Sequence, residues 1–181
     1  MTNSGANKVP ERQERDLDAL FEQVIRDHGP RLEAIARGIV GRRFAPEDVV
    51  QQAVSNLYEH RHRYDWSQPL PLVRRAVVNE ALRLLRRPAM GSIEQIDMGT
   101  EAPPDANLVQ SETVEQVRKA IDQLPNHFRA ALVLCEYEGL SYPEIARELG
   151  ITIQQTKTWI FRARRQLEQK LADFVKSGKS V

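Results

Sequence analysis

The sequence predicts an all-α protein: two small helical domains, the second carrying a helix-turn-helix, joined by a flexible acidic linker. Three observations predict it. Apolar residues recur at three- and four-residue spacing through most of the chain, and no stretch alternates β-branched and aromatic residues between hairpin turns as strands do. The charge, only +1 overall from 26 basic and 25 acidic side chains, is divided into unequal blocks. Residues 1–90 and 116–181 are net basic, whereas 91–115 hold acids and no Lys or Arg, within a run rich in Pro, Gly, Asp and Asn that reads as a linker. A length of 181 residues suits one large domain or two small ones. The boundaries expected are a disordered tail over 1–15, a helical domain over 16–88, the linker over 89–111, a second helical domain over 112–175 and a tail over 176–181.

The elements follow in order. Leu17, Leu20, Phe21, Val24 and Ile25 form one apolar stripe, and Leu32, Ile35, Ala36 and Ile39 a second. Val49, Val50, Ala53, Val54 and Leu57 mark a third helix, with Pro46 in its first turn and Glu47 and Asp48 near its dipole-positive end. Val73, Val77, Ala81 and Leu84 mark a fourth, ended by Pro88. After the linker come helices over 114–124, 126–137, 142–149 and 153–174. Gly139 ends one of these. Ser141-x-x-Glu144 and Thr152-x-x-Gln155 are capping boxes that start the next two, with Gly150 between them. Two helices joined by so short a Gly-containing turn make a helix-turn-helix.

The last helix divides by face. Ile153, Thr156, Ile160, Ala163, Leu167, Leu171 and Phe174 cluster on one side; Gln154, Thr158, Phe161, Arg162 and Arg165 cluster on the other, with Lys157 and Arg164 on a flank. Arg and Lys pair with guanine edges or phosphate, Gln with adenine, and an exposed Phe meets a thymine methyl, so this face suits a major groove. The plainer reading is an amphipathic helix with a solvated basic face.

Other chemistries find little support. A single cysteine excludes a disulfide framework and a multi-thiolate zinc site, and Cys135, flanked by apolar residues, reads as a buried inert thiol. His60 and His62 point to different faces of a helix with no carboxylate or thiol nearby to complete a metal set. No apolar run approaches the ~20 residues of a membrane span, and the N-terminus has no apolar core of a secretory signal. No Gly-rich phosphate loop or nucleophile–base set appears. The expectation is a cytoplasmic protein that is not an enzyme, with no cofactor and no metal.

The stretch LPNHFRAALVLCEYEGLSYPEIARELGITIQQTKTWIFRARRQL, residues 124–167, resembles region four of the bacterial sigma-70-family RNA polymerase sigma factors. The two-domain layout is similar to the small extracytoplasmic-function (ECF) class. The resemblance implies a domain that reads the −35 promoter element through Gln154, Gln155, Lys157, Thr158, Phe161, Arg162 and Arg165 and binds the polymerase β flap. Gln154, Gln155 and Thr156 replace a frequent Gly-Thr-Val, and Trp159 a frequent Arg, so the family's −35 preference does not carry over.

APEDVVQQAVSNLYEH, residues 45–60, resembles the region-two helix that docks on the β′ clamp helices, implying a polymerase-binding set of Glu47, Asp48, Gln51, Gln52 and Ser55. Ala45 and Gln52 stand where that motif is usually acidic, which predicts weaker binding or help from a partner or a modification. LVRRAVVNEALRLLRR, residues 72–87, resembles the −10-reading helix, with Arg75, Asn79, Arg83 and Arg86 on one face. In the preceding loop, RYDWSQPLP, Tyr64 and Trp66 either stack on an unpaired base or plug the core.

The linker, 23 residues reaching at most ~75 Å, spans about two duplex turns at ~35 Å each. The implied partners are core RNA polymerase, promoter DNA and an anti-sigma factor or a kinase, with Ser55, Thr152 and Thr158 as chemically available hydroxyls. Two alternatives stay open: a stand-alone helix-turn-helix regulator, and a sigma-like factor inactive until modified or released by a partner.

Overall fold

The computed structural model describes residues 11–86 and 108–177, with side chains placed for 17–86 and 114–172. Every regular element among these is helical: α1 (Glu11–Val40), α2 (Pro46–Glu59), a short 3-10 turn (Arg61–Arg63), α3 (Pro69–Arg86), α4 (Leu108–Asp122), α5 (Asn126–Glu136), α6 (Tyr142–Leu149) and α7 (Ile153–Ser177).

The two apolar stripes at the N-terminus belong to one helix. α1 runs unbroken through Pro30, which costs a single backbone hydrogen bond. Phe21 and Val24 ahead of that proline and Leu32, Ile35 and Ile39 behind it enter the same core, so burial on both sides holds the helix through it. α1 also begins inside the expected N-terminal tail, and α4 begins at Leu108, inside the expected linker. The rest of the expected tails, residues 1–10 and 178–181, and most of the linker lie outside the described residues.

Helices α1, α2 and α3 form the first lobe around Val49, Val50, Ala53, Leu57, Val73, Val77 and Ala81. Ala45, the N-cap of α2, makes no side-chain cap hydrogen bond; Pro46 starts the helix in place of a capping side chain. In the second lobe α4, α5 and α6 pack on α7. This lobe has a small core of its own, Leu124, Phe128, Leu132 and Ala163, flanked by Trp159 and Leu167.

The lobes do not stand apart. Ala130, Ala131, Val133, Leu134, Ile145 and Ile160 of the second lobe are continuous with the first lobe's core, and α5 packs on α1 and α3 while α6 packs on α3. The approach is close enough to require glycine. A Cβ on Gly38 would lie 2.9 Å from Val133 Cγ2, and Gly41, beside the Asp122 carboxylate, holds a left-handed φ of 61° that favours glycine. The sequence, read as two domains on a tether, did not indicate this interface.

Candidate nucleic-acid interface

The second lobe builds the helix-turn-helix from its caps outward. The Ser141 backbone N–H donates to Glu144 Oε2 at 2.8 Å and the Ser141 hydroxyl donates to the same oxygen at 2.6 Å. These bonds hold the Glu144 carboxyl below its ordinary range. Gly150, left-handed at φ 66° and ψ 37°, ends α6, and the Ile151 N–H returns to the Ala146 carbonyl at 3.0 Å. Thr152 then closes a reciprocal box: its N–H donates to Gln155 Oε1 at 2.9 Å, and the Gln155 N–H donates to Thr152 Oγ1 at 3.1 Å. Both boxes read in the sequence are present. They fix the angle at which α7 leaves the turn.

α7 buries Thr156, Ile160 and Ala163 and exposes Gln154, Gln155, Lys157, Phe161, Arg162 and Arg165, with Thr158 half-buried. Phe161 is 64% exposed, an unusual place for an aromatic ring on a charged face. Three details depart from the expectation. Ile153, assigned to the apolar face, is 45% exposed, because it sits in the first turn before the helix meets its neighbours. The Gln155 carbonyl oxygen is engaged in the cap, which leaves only its amide nitrogen for a base. The Thr158 hydroxyl donates to the Gln154 carbonyl at 2.9 Å. Arg164, on the flank, is tied to Glu136 of α5 at 2.6 Å.

In the first lobe Glu47, Asp48, Gln51, Gln52 and Ser55 all lie exposed on α2, an accessible strip over a buried Val49, Val50, Ala53 and Leu57. The Gln52 amide donates to Asn56 Oδ1 at 3.0 Å, and Glu47 accepts from Arg37 at 3.4 Å.

On α3, Asn79, Arg83 and Arg86 are exposed, with Arg83 held in a fork by Glu80 at 2.7 and 2.5 Å. Arg75 is half-buried and pairs with Glu148 of α6 at 3.7 Å. Tyr64 and Trp66 part ways. Trp66 donates its indole N–H to the Arg61 carbonyl at 2.8 Å and meets Phe21 edge-on at 5.3 Å, so it plugs the core, whereas Tyr64 stands exposed.

Cys135 is half-buried rather than fully buried, and burial together with Glu136 raises its thiol pKa, which keeps it protonated. Among the described residues no helix is long and apolar enough to cross a membrane.

Sequence reasoning missed Arg74, whose side chain is 9% exposed between Glu138 and Glu148. A signal existed. Arg74 precedes Val78, Ala81 and Leu85 at offsets of four, seven and eleven, which places an arginine on the apolar stripe of α3.

The sigma-70 region 4 family model matches residues 114–167 and the sigma-70 region 2 model matches 24–89, which puts both surfaces inside matched segments. A relative from Mycobacterium tuberculosis, ECF RNA polymerase sigma factor SigM, is 30% identical over 165 residues, covering 89% of this chain and 81% of its own length. The chain belongs to the ECF sigma factors of the sigma-70 family. ECF RNA polymerase sigma factor SigE of Mycolicibacterium smegmatis is 30% identical over 158 residues, 84% of this chain. The chain spans 62% of the length of SigE and 39% of that of the RNA polymerase sigma-H factor of Pseudomonas aeruginosa. The sigma factor RpoE from Bartonella quintana, solved with the anti-sigma factor NepR, shares the fold at a TM-score of 0.63 and 21% identity, covering 84% of this chain and 96% of that one. CnrH, solved with the cytosolic domain of CnrY, gives 0.62 and 23%, covering 84% and 88%.

Proposed function

We propose that this chain is an ECF-type sigma factor that acts in the cytoplasm, binds core RNA polymerase and directs promoter-specific initiation through −10 and −35 recognition. Its role is recognition, with no catalytic step of its own. The observation that carries the reading is the exposed polar face of α7, which starts from the Thr152 capping box and bears Phe161, Arg162 and Arg165 on a fully formed helix-turn-helix. In this reading a few side chains near the start of α7 meet base edges while Lys157 and Arg165 contact phosphate.

In this reading the α2 strip of Glu47, Asp48, Gln51, Gln52 and Ser55 docks on the β′ clamp helices, and the second lobe engages the β flap. Arg75, Asn79, Arg83 and Arg86 line the −10 face, and Tyr64 receives the unstacked base. Trp66 supports that loop from beneath through its bond to Arg61. The Ala45 and Gln52 departures leave the strip with Glu47 and Asp48 as its acids, so affinity for a basic clamp rests on those two.

The test is a titration of the full chain against core polymerase, with Asp48→Lys beside it. Nanomolar to micromolar binding that the reversal weakens by more than tenfold supports the proposal. Absence of any association with polymerase, alongside intact DNA binding, would favour a stand-alone regulator.

A further inference from the structure

Two exposed arginines on the outer face of α3 stand in opposite electrostatic situations. Arg86 makes no hydrogen bond or ion pair among the described residues, so its charge is free to meet a phosphate. Arg83, three residues earlier on the same face, is forked onto Glu80: its Nε–H donates to Oε2 at 2.7 Å and an Nη2–H to Oε1 at 2.5 Å. The Glu80 side chain is 5% exposed and that of Arg83 47%. Glu80 belongs to the buried set of α3 with Val77, Val78 and Ala81, and among the described residues Arg83 is its one partner.

Taking a carboxylate out of water is costly, and an apolar side chain of similar size would serve this core as well or better. What the carboxylate supplies instead is orientation. With Nε and one Nη2 hydrogen engaged, the guanidinium plane is fixed and three of its five N–H groups remain. Two of these, one on Nη1 and the outer one on Nη2, run parallel and form a second fork directed away from Glu80. The pair is also close to neutral as a whole, which removes most of the pull a lone arginine exerts on the DNA backbone.

We propose that Glu80 is a positioning residue that makes Arg83 a reader of guanine, through O6 and N7, in the downstream promoter element, while the unpaired Arg86 one turn on holds phosphate. The proposal rests on the sigma-factor reading of this face. Guanine presents O6 and N7 side by side as two acceptors that match a planar fork, and this edge is open in the major groove and in an unpaired strand alike. A phosphate accepts the same fork, but there a neutralised pair has no advantage over the free Arg86.

The full chain is compared with E80Q, E80M, R83K and R86A. Each is assayed with core polymerase on promoters randomised over the downstream element, then by equilibrium binding to single promoters at several salt concentrations. The unmodified chain should favour guanine at one position by about fivefold or more, and 7-deazaguanine there, which lacks N7, should remove most of that preference. R83K should lose it, because an ammonium does not reproduce the fork. E80Q leaves the Arg83 charge uncompensated, so it should lower the guanine preference while steepening the salt dependence of binding by about one. R86A should do the reverse, flattening the salt slope by about one with the preference intact. E80M should lose the preference with a melting midpoint no lower than that of the unmodified chain, which separates orientation from folding.

A guanine preference that survives in E80Q and E80M would overturn the proposal. So would the absence of any guanine preference in the unmodified chain, one that 7-deazaguanine leaves untouched, or an R83K loss equal on all sequences, the behaviour of a phosphate contact. In each of these cases polymerase-dependent starts persist and the sigma-factor reading stands. Absence of such starts with the unmodified chain would overturn that reading and the guanine assignment with it.

Discussion

Arg162→Ala separates base reading from fold. The Arg162 side chain is exposed on α7, and among the described residues it forms no hydrogen bond or ion pair. Truncation therefore removes no hydrogen bond or ion pair, and stability should stay within about 0.5 kcal/mol of the unmodified protein. If the guanidinium reads a base edge, the loss in promoter binding is about 1–3 kcal/mol, or roughly 5- to 150-fold in affinity, confined to promoters carrying the preferred base. A phosphate contact would behave differently, weakening all sequences about equally and lowering the salt slope by about one. The control is Arg164→Ala. Arg164 is bound to Glu136, an exposed pair worth about 0.2–1 kcal/mol, so its loss should touch stability and leave sequence preference unchanged. The assay is equilibrium binding of the polymerase complex to a set of −35 point variants at two salt concentrations. A change below a few tenths of a kcal/mol for Arg162→Ala on every variant would refute the assignment.

Other perturbations follow from the same contacts. Thr152→Ala removes the hydroxyl that accepts the Gln155 N–H and should cost about 1 kcal/mol in denaturant melts, with −35 affinity falling because the exit angle of α7 loosens. Ala45→Asp restores a side-chain cap at α2 and should raise stability by about 0.5–2 kcal/mol; combined with Gln52→Glu it should also tighten polymerase binding, and unchanged affinity would show that the clamp does not sense this charge. His127 stacks edge-on against Trp159 at 4.7 Å and Phe128 at 4.3 Å, and although its outer edge reaches solvent this covering lowers its pKa. Its neutral form is thus favoured in the fold. Stability is full above the unfolded value of about 6.5 and declines as pH falls below it, and His127→Gln should flatten that slope in melts between pH 7 and 5. Tyr64→Ala should slow promoter opening without lowering the melting midpoint, whereas Trp66→Ala should lower the midpoint by unplugging the core beside Phe21.

The helices were legible wherever a local signal marked both ends. Pro46, the Ser141 and Thr152 boxes and Gly150 each sit where the structure starts or stops an element, because caps act within a few residues. The two apolar stripes read separately in the sequence lie on one helix, because burial of Phe21 and Ile35 in one core keeps α1 whole through Pro30. The polar face of α7 was readable from its 3.6-residue period, and Ile153 escaped it because the first turn has no neighbour to bury against. Tyr64 and Trp66 were indistinguishable in sequence, since only the fold brings Arg61 and Phe21 to one of them. The interface between lobes pairs residues more than sixty positions apart, so no window along the chain could display it. Its traces were an arginine on an apolar stripe and two glycines near the end of α1.

The most direct trial of the account is transcription from a randomised promoter library by core polymerase with and without this chain, read by sequencing transcript 5′ ends. The account predicts starts that depend on the chain and lie downstream of two sequence elements, the upstream one shifting in preference when Arg162 is replaced. Starts that are identical in the protein's presence and absence would contradict it.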